Sequence, residues 1–406
     1  MSSLTLNPGY LKLELAMNGV RLDGPAHADL PPAEWFGDAE RDIELVLPDD
    51  VWVAAPVREV AAAESPFVLS GQGDHATLRR NGSQVAVRLV PQPSFYGEHT
   101  VAGRPMWQVG MVHGNFIAIN PASACSYSLR GVPCRFCRSG SGVAIEEGFP
   151  MSIQEVVDVV RAAFAEGAVE FVYLNPSYVG SEDAGIAFLE PYINALKKHF
   201  DTLVAVQIHP PKTNRWIERT YAMGVDALSY AVEIHDYALL ARRCPGRVRH
   251  IGRERYYEAL AHAAGVFPSG TVWSELILGA EPTESTVKGI DALVHAGVLP
   301  VLSLPRPFAA GVPASALGSA DLQPVFAHLF AAVRDAKVNM TWVRDLPAAI
   351  TPLEARFFAA GDANISAMRH HFYRSRLGTL AVRGLARLRR RLRVRTVSDS
   401  FDSSHL

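Results

Sequence analysis

Between residues 116 and 304, short apolar segments alternate with longer amphipathic ones, and this alternation limits the fold more than any other feature. In the longer segments, apolar residues recur at three- and four-residue spacing, which indicates helices. Strands that alternate with helices pair in parallel, so the pattern predicts an α/β fold. Periodicity leaves open whether six such units form a partial barrel or an open doubly wound sheet. The predicted strands are Phe116 to Ile119, Glu170 to Leu174, Leu203 to Ile208, Ala227 to Val232, Val272 to Leu278 and Pro300 to Leu304.

The first 110 residues show a different pattern, in which short β-prone segments are separated by turn-forming residues. One of these turns, Asn81-Gly82, predicts a tight β-hairpin. We therefore predict a small β-rich N-terminal accessory domain at residues 1–110. The α/β unit follows at 111–310, and a helical C-terminal extension occupies 311–406.

The C-terminal extension contains an arginine-rich segment, residues 374–395, with nine Arg and neither Lys nor acidic residues. The whole chain has 39 basic and 41 acidic residues, so without these nine arginines 30 basic residues remain against 41 acidic ones. The remainder of the chain is therefore acidic, which argues against a broad nucleic-acid-binding face. A solvated terminal helix is the simplest interpretation of the segment. Two other interpretations stay open: docking onto the acidic remainder of the chain or onto a partner protein, and binding to nucleic acid or an anionic membrane surface.

The location of the protein is predicted from two features that the sequence lacks. No apolar run approaches the roughly 18 residues that a membrane span needs. The N-terminal residues show no basic segment followed by an apolar stretch, which would mark a secretory signal. With 49% hydrophobic and 20% charged residues, we predict a cytoplasmic globular protein without a membrane span.

Three of the four cysteines, Cys125, Cys134 and Cys137, fall within thirteen residues, directly after the first predicted strand. Four cysteines in a long intracellular chain do not make a disulfide framework. In a β/α barrel, the loops after strands lie at the face where reactive groups gather. Three thiolates on four irons leave one iron open for chemistry, whereas tetrahedral zinc requires a fourth ligand. An iron–sulfur cluster is favoured, and a zinc ion or unliganded thiols remain as alternatives.

A three-cysteine cluster after the first strand of a six-unit β/α chain resembles the radical SAM superfamily. In that superfamily a [4Fe–4S] cluster binds S-adenosylmethionine (SAM) and cleaves it reductively to a 5′-deoxyadenosyl radical. The usual spacing is C-x3-C-x2-C, and here eight residues separate the first two cysteines. The second half, Cys134-Arg135-Phe136-Cys137, matches and includes the aromatic residue before the last cysteine.

The resemblance covers roughly residues 112 to 308, is clearest for the biotin synthase-like branch, and implies a partial (β/α)6 TIM-like barrel. A β-rich N-terminal region followed by Val109 to Gly114 also resembles the radical SAM proteins encoded beside nitrilases.

The resemblance also implies which residues contact SAM. An acidic residue on the fourth strand maps onto Glu233, and an arginine at a helix start maps onto Arg255. A glycine-containing fifth strand, which backs the adenine, maps onto Leu276 to Gly279. A guanidinium suits the SAM carboxylate. A Gly-Gly-Glu-like motif normally ends the second strand, and Asn175 and Ser177 take its place. The implied SAM-binding residues are Phe136, Asn175, Ser177, Gln207, Glu233, Arg255 and Gly279; Tyr178, His209 and His235 are candidates for substrate contact.

The implied function is a radical SAM enzyme that abstracts hydrogen from a small organic substrate. It would use a flavodoxin- or ferredoxin-type electron donor. No motif for a second cluster or for cobalamin accompanies the three cysteines, which argues against sulfur insertion and cobalamin-dependent methyl transfer. Which residue acts on the substrate is unknown. The alternatives are a zinc-dependent β/α-barrel enzyme with Cys ligands, or a non-catalytic iron–sulfur protein that senses redox state or binds a partner.

Overall fold

The structure is a computed structural model, and the residues it describes are 7–24, 42–57, 60–122, 124–137, 150–167, 169–303, 319–340, 342–343, 345–359, 384 and 388. The arginine-rich segment lies outside the described residues except for Gly384 and Leu388. In the described ranges, no helix is both long enough and apolar enough to cross a membrane.

The N-terminal residues form a six-stranded sheet in the order β1-β4-β5-β6-β2-β3, in which only β1 and β4 pair in parallel. The predicted hairpin is confirmed: Arg80 pairs with Ser83, and Asn81 and Gly82 have φ of 48° and 78°. These positive φ values are typical of the type I′ turn that matches the twist of a hairpin. The strands are β1 Arg21–Asp23, β2 Asp42–Leu47, β3 Val51–Pro56, β4 Val68–Ser70, β5 Ala76–Arg80 and β6 Ser83–Leu89.

The second sheet has eight strands in sequential order, β7 to β14. The six strands β8 to β13 are parallel, and the edge strands β7 and β14 are antiparallel to their neighbours. This is the predicted partial (β/α)6 barrel. The strands are β7 Met111–His113, β8 Phe116–Ile119, β9 Phe171–Leu174, β10 Leu203–Gln207, β11 Ala227–Ser229, β12 Val272–Ile277, β13 Leu299–Ser303 and β14 Ala349–Ile350.

Helices connect the parallel strands, and their apolar faces pack on the sheet in the largest hydrophobic core. Helix α5 begins with a capping box, in which Ser152 and Glu155 satisfy each other's backbone N–H groups. The helices are α1 Pro8–Asn18, α2 Val60–Ala63, α3 Met106–Val109, α4 Ser126–Leu129, α5 Ile153–Ala165, α6 Ile186–His199, α7 Arg215–Ala222, α8 Tyr237–Arg243, α9 Pro245–His250, α10 Arg253–Val266, α11 Thr283–His295, α12 Ser319–Asp335 and α13 Pro352–Ala355.

The N-terminal sheet meets the barrel at the end where the parallel strands begin. The Glu44 carboxylate of β2 accepts a hydrogen bond from the backbone N–H of Gly114, 2.9 Å away, in the turn before β8. On α1, Lys12 forms a buried ion pair of 2.7 Å with Glu354 of α13. The opposite end of the barrel, where the parallel strands finish, carries the loops.

The strand that differs most from the prediction is β11, which ends at Ser229 instead of Val232. Two side chains replace its ladder partners, since Ser274 accepts from the N–H of Val232 and Arg247 donates to the carbonyl of Ala231. The chain returns to the sheet at Glu233, which bridges to Leu276 with φ of 66°. A positive φ is strained for a residue with a β-carbon, and such strain is typical of functional sites.

Candidate functional site

A cavity of about 280 Å³ lies at the carboxyl ends of β8, β9, β10 and β11. Each of these strands contributes polar residues from its last position or from the loop that follows, as expected where parallel strands end at one edge. The lining residues are Asn120, Cys125, Tyr127, Ser128, Cys134, Phe136, Cys137, Asn175, Pro176, Ser177, Tyr178, Gln207, Ile208, His209, Ala231, Glu233 and Arg247.

All three clustered cysteines line this cavity. Cys125 precedes the first turn of α4, and Cys134 and Cys137 lie in the turn that follows. Cys134 is buried and the other two are half-buried. Among the residues that the structure describes, no three His, Cys, Asp or Glu side chains are close enough together to hold a single metal ion. The three thiols thus share a cavity without converging on one point.

The fourth cysteine, Cys244, lies between α8 and α9 and is buried in a small cluster with Cys134. A backbone hydrogen bond of 2.8 Å from Arg135 to Arg243 holds the two segments together. The Cys244 thiol donates to the sulfur of Cys134 and thereby lowers the pKa of Cys134, an effect that burial opposes and Arg247 reinforces. This contact supports a thiolate at Cys134, the form that binds metals.

Glu233 and Arg247 form a buried ion pair of 2.7 Å at the wall of the cavity. Burial raises the pKa of Glu233 to about 8, and the charge of Arg247 opposes this shift. Among the described residues, Oε2 of Glu233 and Nε of Arg247 have no hydrogen-bond partner. Buried polar atoms are nearly always paired, so one acceptor and one donor at this wall are available to a polar ligand.

Three aromatic side chains that line the cavity pack against each other. The rings of Tyr127 and Tyr178 stack with centroids 3.8 Å apart and planes 14° apart, and His209 meets both edge-on. Nδ1 of His209 shares a hydrogen bond of 2.6 Å with the hydroxyl of Tyr256. Burial, helped by Arg247, lowers the pKa of His209 well below its ordinary value. The imidazole is therefore neutral at physiological pH and can both donate and accept a hydrogen bond.

Most residues predicted from the sequence are brought together here, but three are not. Arg255 lies on α10 and donates to the carbonyl of Pro211 and to the side chain of Asn214. His235 shares a hydrogen bond of 2.7 Å with Tyr257, away from the cavity lining. Gly279, with φ of 75°, lies in the turn after β12. The predicted residues that line the cavity are Cys125, Cys134, Phe136, Cys137, Asn175, Ser177, Tyr178, Gln207, His209 and Glu233.

Sequence reasoning missed Arg247, Asn120, Tyr127 and Ser128. Asn120 is a polar residue directly after an apolar strand, and that position could have singled it out. Arg247 had no such signal, because it is one of several arginines between residues 242 and 255. Arg247 follows Gly246, where the chain packs closely against the cysteine loop: a β-carbon on Gly246 would lie 2.5 Å from the carbonyl oxygen of Val132.

The donor set can hold an iron–sulfur cluster and a zwitterionic ligand beside it. Cysteine thiolates are the usual ligands of such clusters. The unpaired donor and acceptor of Arg247 and Glu233 suit a carboxylate and an ammonium or hydroxyl group, respectively.

No family model matches the chain, and no curated protein matches it. Among solved structures, it is similar to methylornithine synthase, with 13% identity and a TM-score of 0.44 over 54% of this chain and 64% of that one. It is also similar to Streptococcus suis SuiB bound to S-adenosylmethionine, with 10% identity and a TM-score of 0.40 over 56% and 46% of the two chains. A radical SAM methyltransferase from Sphaerobacter thermophilus shows 16% identity and a TM-score of 0.39 over 66% and 75%.

The chain spans less than two thirds of methylornithine synthase and about half of SuiB. The solved structures to which the chain is similar include a radical SAM enzyme. Because the sequence identity is low, the chemistry of this chain has to be inferred from its own residues.

Proposed function

We propose that this chain is a radical SAM enzyme that holds a [4Fe–4S] cluster with Cys125, Cys134 and Cys137. One observation carries the proposal. Three cysteines separated by eight and two residues line one cavity together with a buried carboxylate and guanidinium that each keep an unpaired atom. Three thiol ligands leave one iron for SAM. The paired charges beside them match the charged groups of SAM.

When bound, the cluster supplies the electron that cleaves the SAM sulfonium to methionine and a 5′-deoxyadenosyl radical, which then removes hydrogen from the substrate. The protein's own residues bind, orient and shield the reactants. The stacked rings of Tyr127 and Tyr178 form a rigid wall that excludes water from the cysteine side of the cavity.

In this proposal, Arg247 binds the carboxylate of SAM, because its unpaired Nε lies at the cavity wall. The unpaired Oε2 of Glu233 accepts from the amino group or a ribose hydroxyl. Asn175 and Ser177, at the end of β9, supply further polar contacts to SAM, with Gln207 after β10. The role predicted for Arg255 stays a prediction.

The proposal includes a small-molecule substrate, a flavodoxin- or ferredoxin-type protein as electron donor, and a cytoplasmic location. A reduced cluster requires a low-potential donor. The hydrogen atom would come from a C–H bond of the substrate.

An anaerobic assay tests the class of chemistry. The reconstituted chain is incubated with SAM and dithionite, and 5′-deoxyadenosine is measured by mass spectrometry. We expect wild type to bind about four irons and to release 5′-deoxyadenosine, and the triple variant Cys125→Ala, Cys134→Ala, Cys137→Ala to do neither.

Cys244→Ser is the matched control, because Cys244 is a buried cysteine outside the proposed ligand set and a serine hydroxyl can still donate to the sulfur of Cys134. It should retain the irons and the product. A wild-type chain that binds one zinc and no iron would contradict the proposal and favour the zinc-dependent barrel enzyme.

A further inference from the structure

Glu275 is the single charged residue in the six parallel strands β8 to β13. All other residues of these strands are apolar or uncharged, as expected of strands covered by helices. Glu275 lies near the middle of β12, and the cavity described above does not include it among its lining residues. A charge at such a position has an energetic cost and requires an explanation.

The strand register places the Glu275 side chain inside the barrel. Side chains alternate along a strand, so Glu275 points to the same side as Trp273. The ring of Trp273 lies 6.3 Å from the ring of Tyr173 on β9. Because β10 and β11 separate β9 from β12 in the sheet, this contact crosses the concave side. The alternate residues Ser274 and Leu276 face outward and are fully buried, whereas Glu275 is only half-buried.

Aromatic rings pack together on the same side of the sheet as this carboxyl group. Phe116 and Phe171 stack at 5.3 Å between centroids, Tyr173 lies 5.4 Å from Phe116, and Trp342 lies 5.2 Å from Phe171. Burial, reinforced by Glu275, raises the pKa of Tyr173 well above its ordinary value, so the phenol stays neutral. The interior therefore combines one carboxyl group with uncharged aromatic faces, which attract cations.

No cation of the described chain pairs with Glu275. The structure shows no hydrogen bond or ion pair to its carboxyl group among those residues. Burial raises the pKa of Glu275, and Arg247, whose charge opposes this shift, is paired with Glu233. A half-buried carboxylate without a partner loses part of its hydration and gains no ion pair in return. The interior adjoins the cavity, since Gln207 lines the cavity and accepts a hydrogen bond from the hydroxyl of Tyr173.

We propose that the barrel interior binds an organic cation, an alkylammonium group with an apolar body, through Glu275 and the aromatic wall of Tyr173 and Trp273. That this cation is the substrate rests on the proposed function. The binding itself depends only on the barrel.

Equilibrium binding of three probes with the same number of carbons tests the proposal: n-butylammonium, n-butanol and butyrate. Their affinities are measured by ligand-observed NMR on the reconstituted full chain, without SAM or reductant. We expect n-butylammonium to bind and the other two probes to bind at least tenfold more weakly. Glu275→Gln should weaken n-butylammonium binding at least tenfold, and Glu275→Asp should weaken it less because the charge is kept.

Glu284→Gln is the matched control, since Glu284 is an exposed glutamate in the first turn of α11, outside the barrel. It should leave the affinity unchanged. Equal binding of the three probes, or n-butylammonium binding unaffected by Glu275→Gln, would overturn the proposal. Because no SAM cleavage is needed, failure here is distinct from failure of the 5′-deoxyadenosine assay.

Discussion

The buried charged groups at the two ends of the barrel differ in how completely they are paired. At the end where the strands begin, Lys12 pairs with Glu354 and donates a further hydrogen bond to the carbonyl of Leu346. At the end where the strands finish, Glu233 and Arg247 also pair, yet each keeps an unpaired polar atom among the described residues. The first end is built for stability, whereas the second retains unsatisfied groups that a ligand can complete.

Residues with positive φ occur at both ends. Gly114, at the first end, adopts a φ of 56° that glycine accommodates without strain. Glu233, at the second end, adopts a φ of 66° despite its β-carbon. Asp345, which lies against Gly114, has a φ of 59°, so this conformation at a residue with a β-carbon is not confined to the cavity end.

Lys12→Ala is expected to have the largest effect, because it leaves Glu354 buried without its cation. Removing one partner of a buried pair costs about 3–5 kcal/mol of unfolding free energy. Urea unfolding followed by circular dichroism measures it. The double variant Lys12→Met, Glu354→Gln should recover at least half of the loss. A loss below about 1 kcal/mol for Lys12→Ala would show that this end is less tightly coupled than its geometry indicates.

Gly114→Ala should have the next largest effect. A β-carbon there would lie 2.0 Å from the carbonyl oxygen of Asp345, at a φ that alanine disfavours, so we expect a loss of about 2–4 kcal/mol. Gly103→Ala is the control: its φ is 83°, but nothing lies within 4 Å of the added atom. It should lose only about 1 kcal/mol. Equal losses in thermal unfolding would mean that the contact with Asp345 is unimportant.

Arg247→Lys tests the other end of the barrel. A lysine keeps the charge but lacks the planar fork of donors, so SAM should bind at least tenfold more weakly, about 1.4 kcal/mol. Arg255→Lys should change the affinity less than twofold, because Arg255 is engaged with Pro211 and Asn214. Equilibrium dialysis of the reconstituted chain with radiolabelled SAM measures both. The reverse ranking would support the role that the sequence predicted for Arg255.

Glu155→Gln should have the smallest effect, and a pH-dependent one. Burial acts to raise the pKa of Glu155, but hydrogen bonds from Ser152 and the Arg104 guanidinium outweigh it and hold the pKa below its ordinary value. The carboxylate therefore stabilises the fold by about 1 kcal/mol above the unfolded pKa of about 4.3. That contribution is lost as the pH falls through the lower folded pKa. The difference between wild type and variant in urea unfolding should shrink toward pH 3; a constant difference would contradict the prediction.

Much of the fold could be predicted from local sequence. The predicted strand Phe116 to Ile119 is confirmed at both ends, and the hairpin at Asn81-Gly82 is confirmed by its register. These features depend on neighbouring residues, through periodic burial and turn conformation. The predicted end of β11 was wrong, because two side chains distant in sequence, Ser274 and Arg247, replace its backbone partners.

The candidate site shows the same division. The sequence by itself determined that three cysteines follow the first barrel strand and that polar residues follow the next strands, because strand order alone brings those positions to one edge. Only the tertiary structure decided which arginine reaches the cavity, that Cys244 contacts Cys134, and that Glu275 faces the barrel interior without a partner among the described residues. These depend on how α8, α9 and the cysteine loop pack against each other and on the register of six strands, and such long-range contacts leave no periodic signal in the sequence.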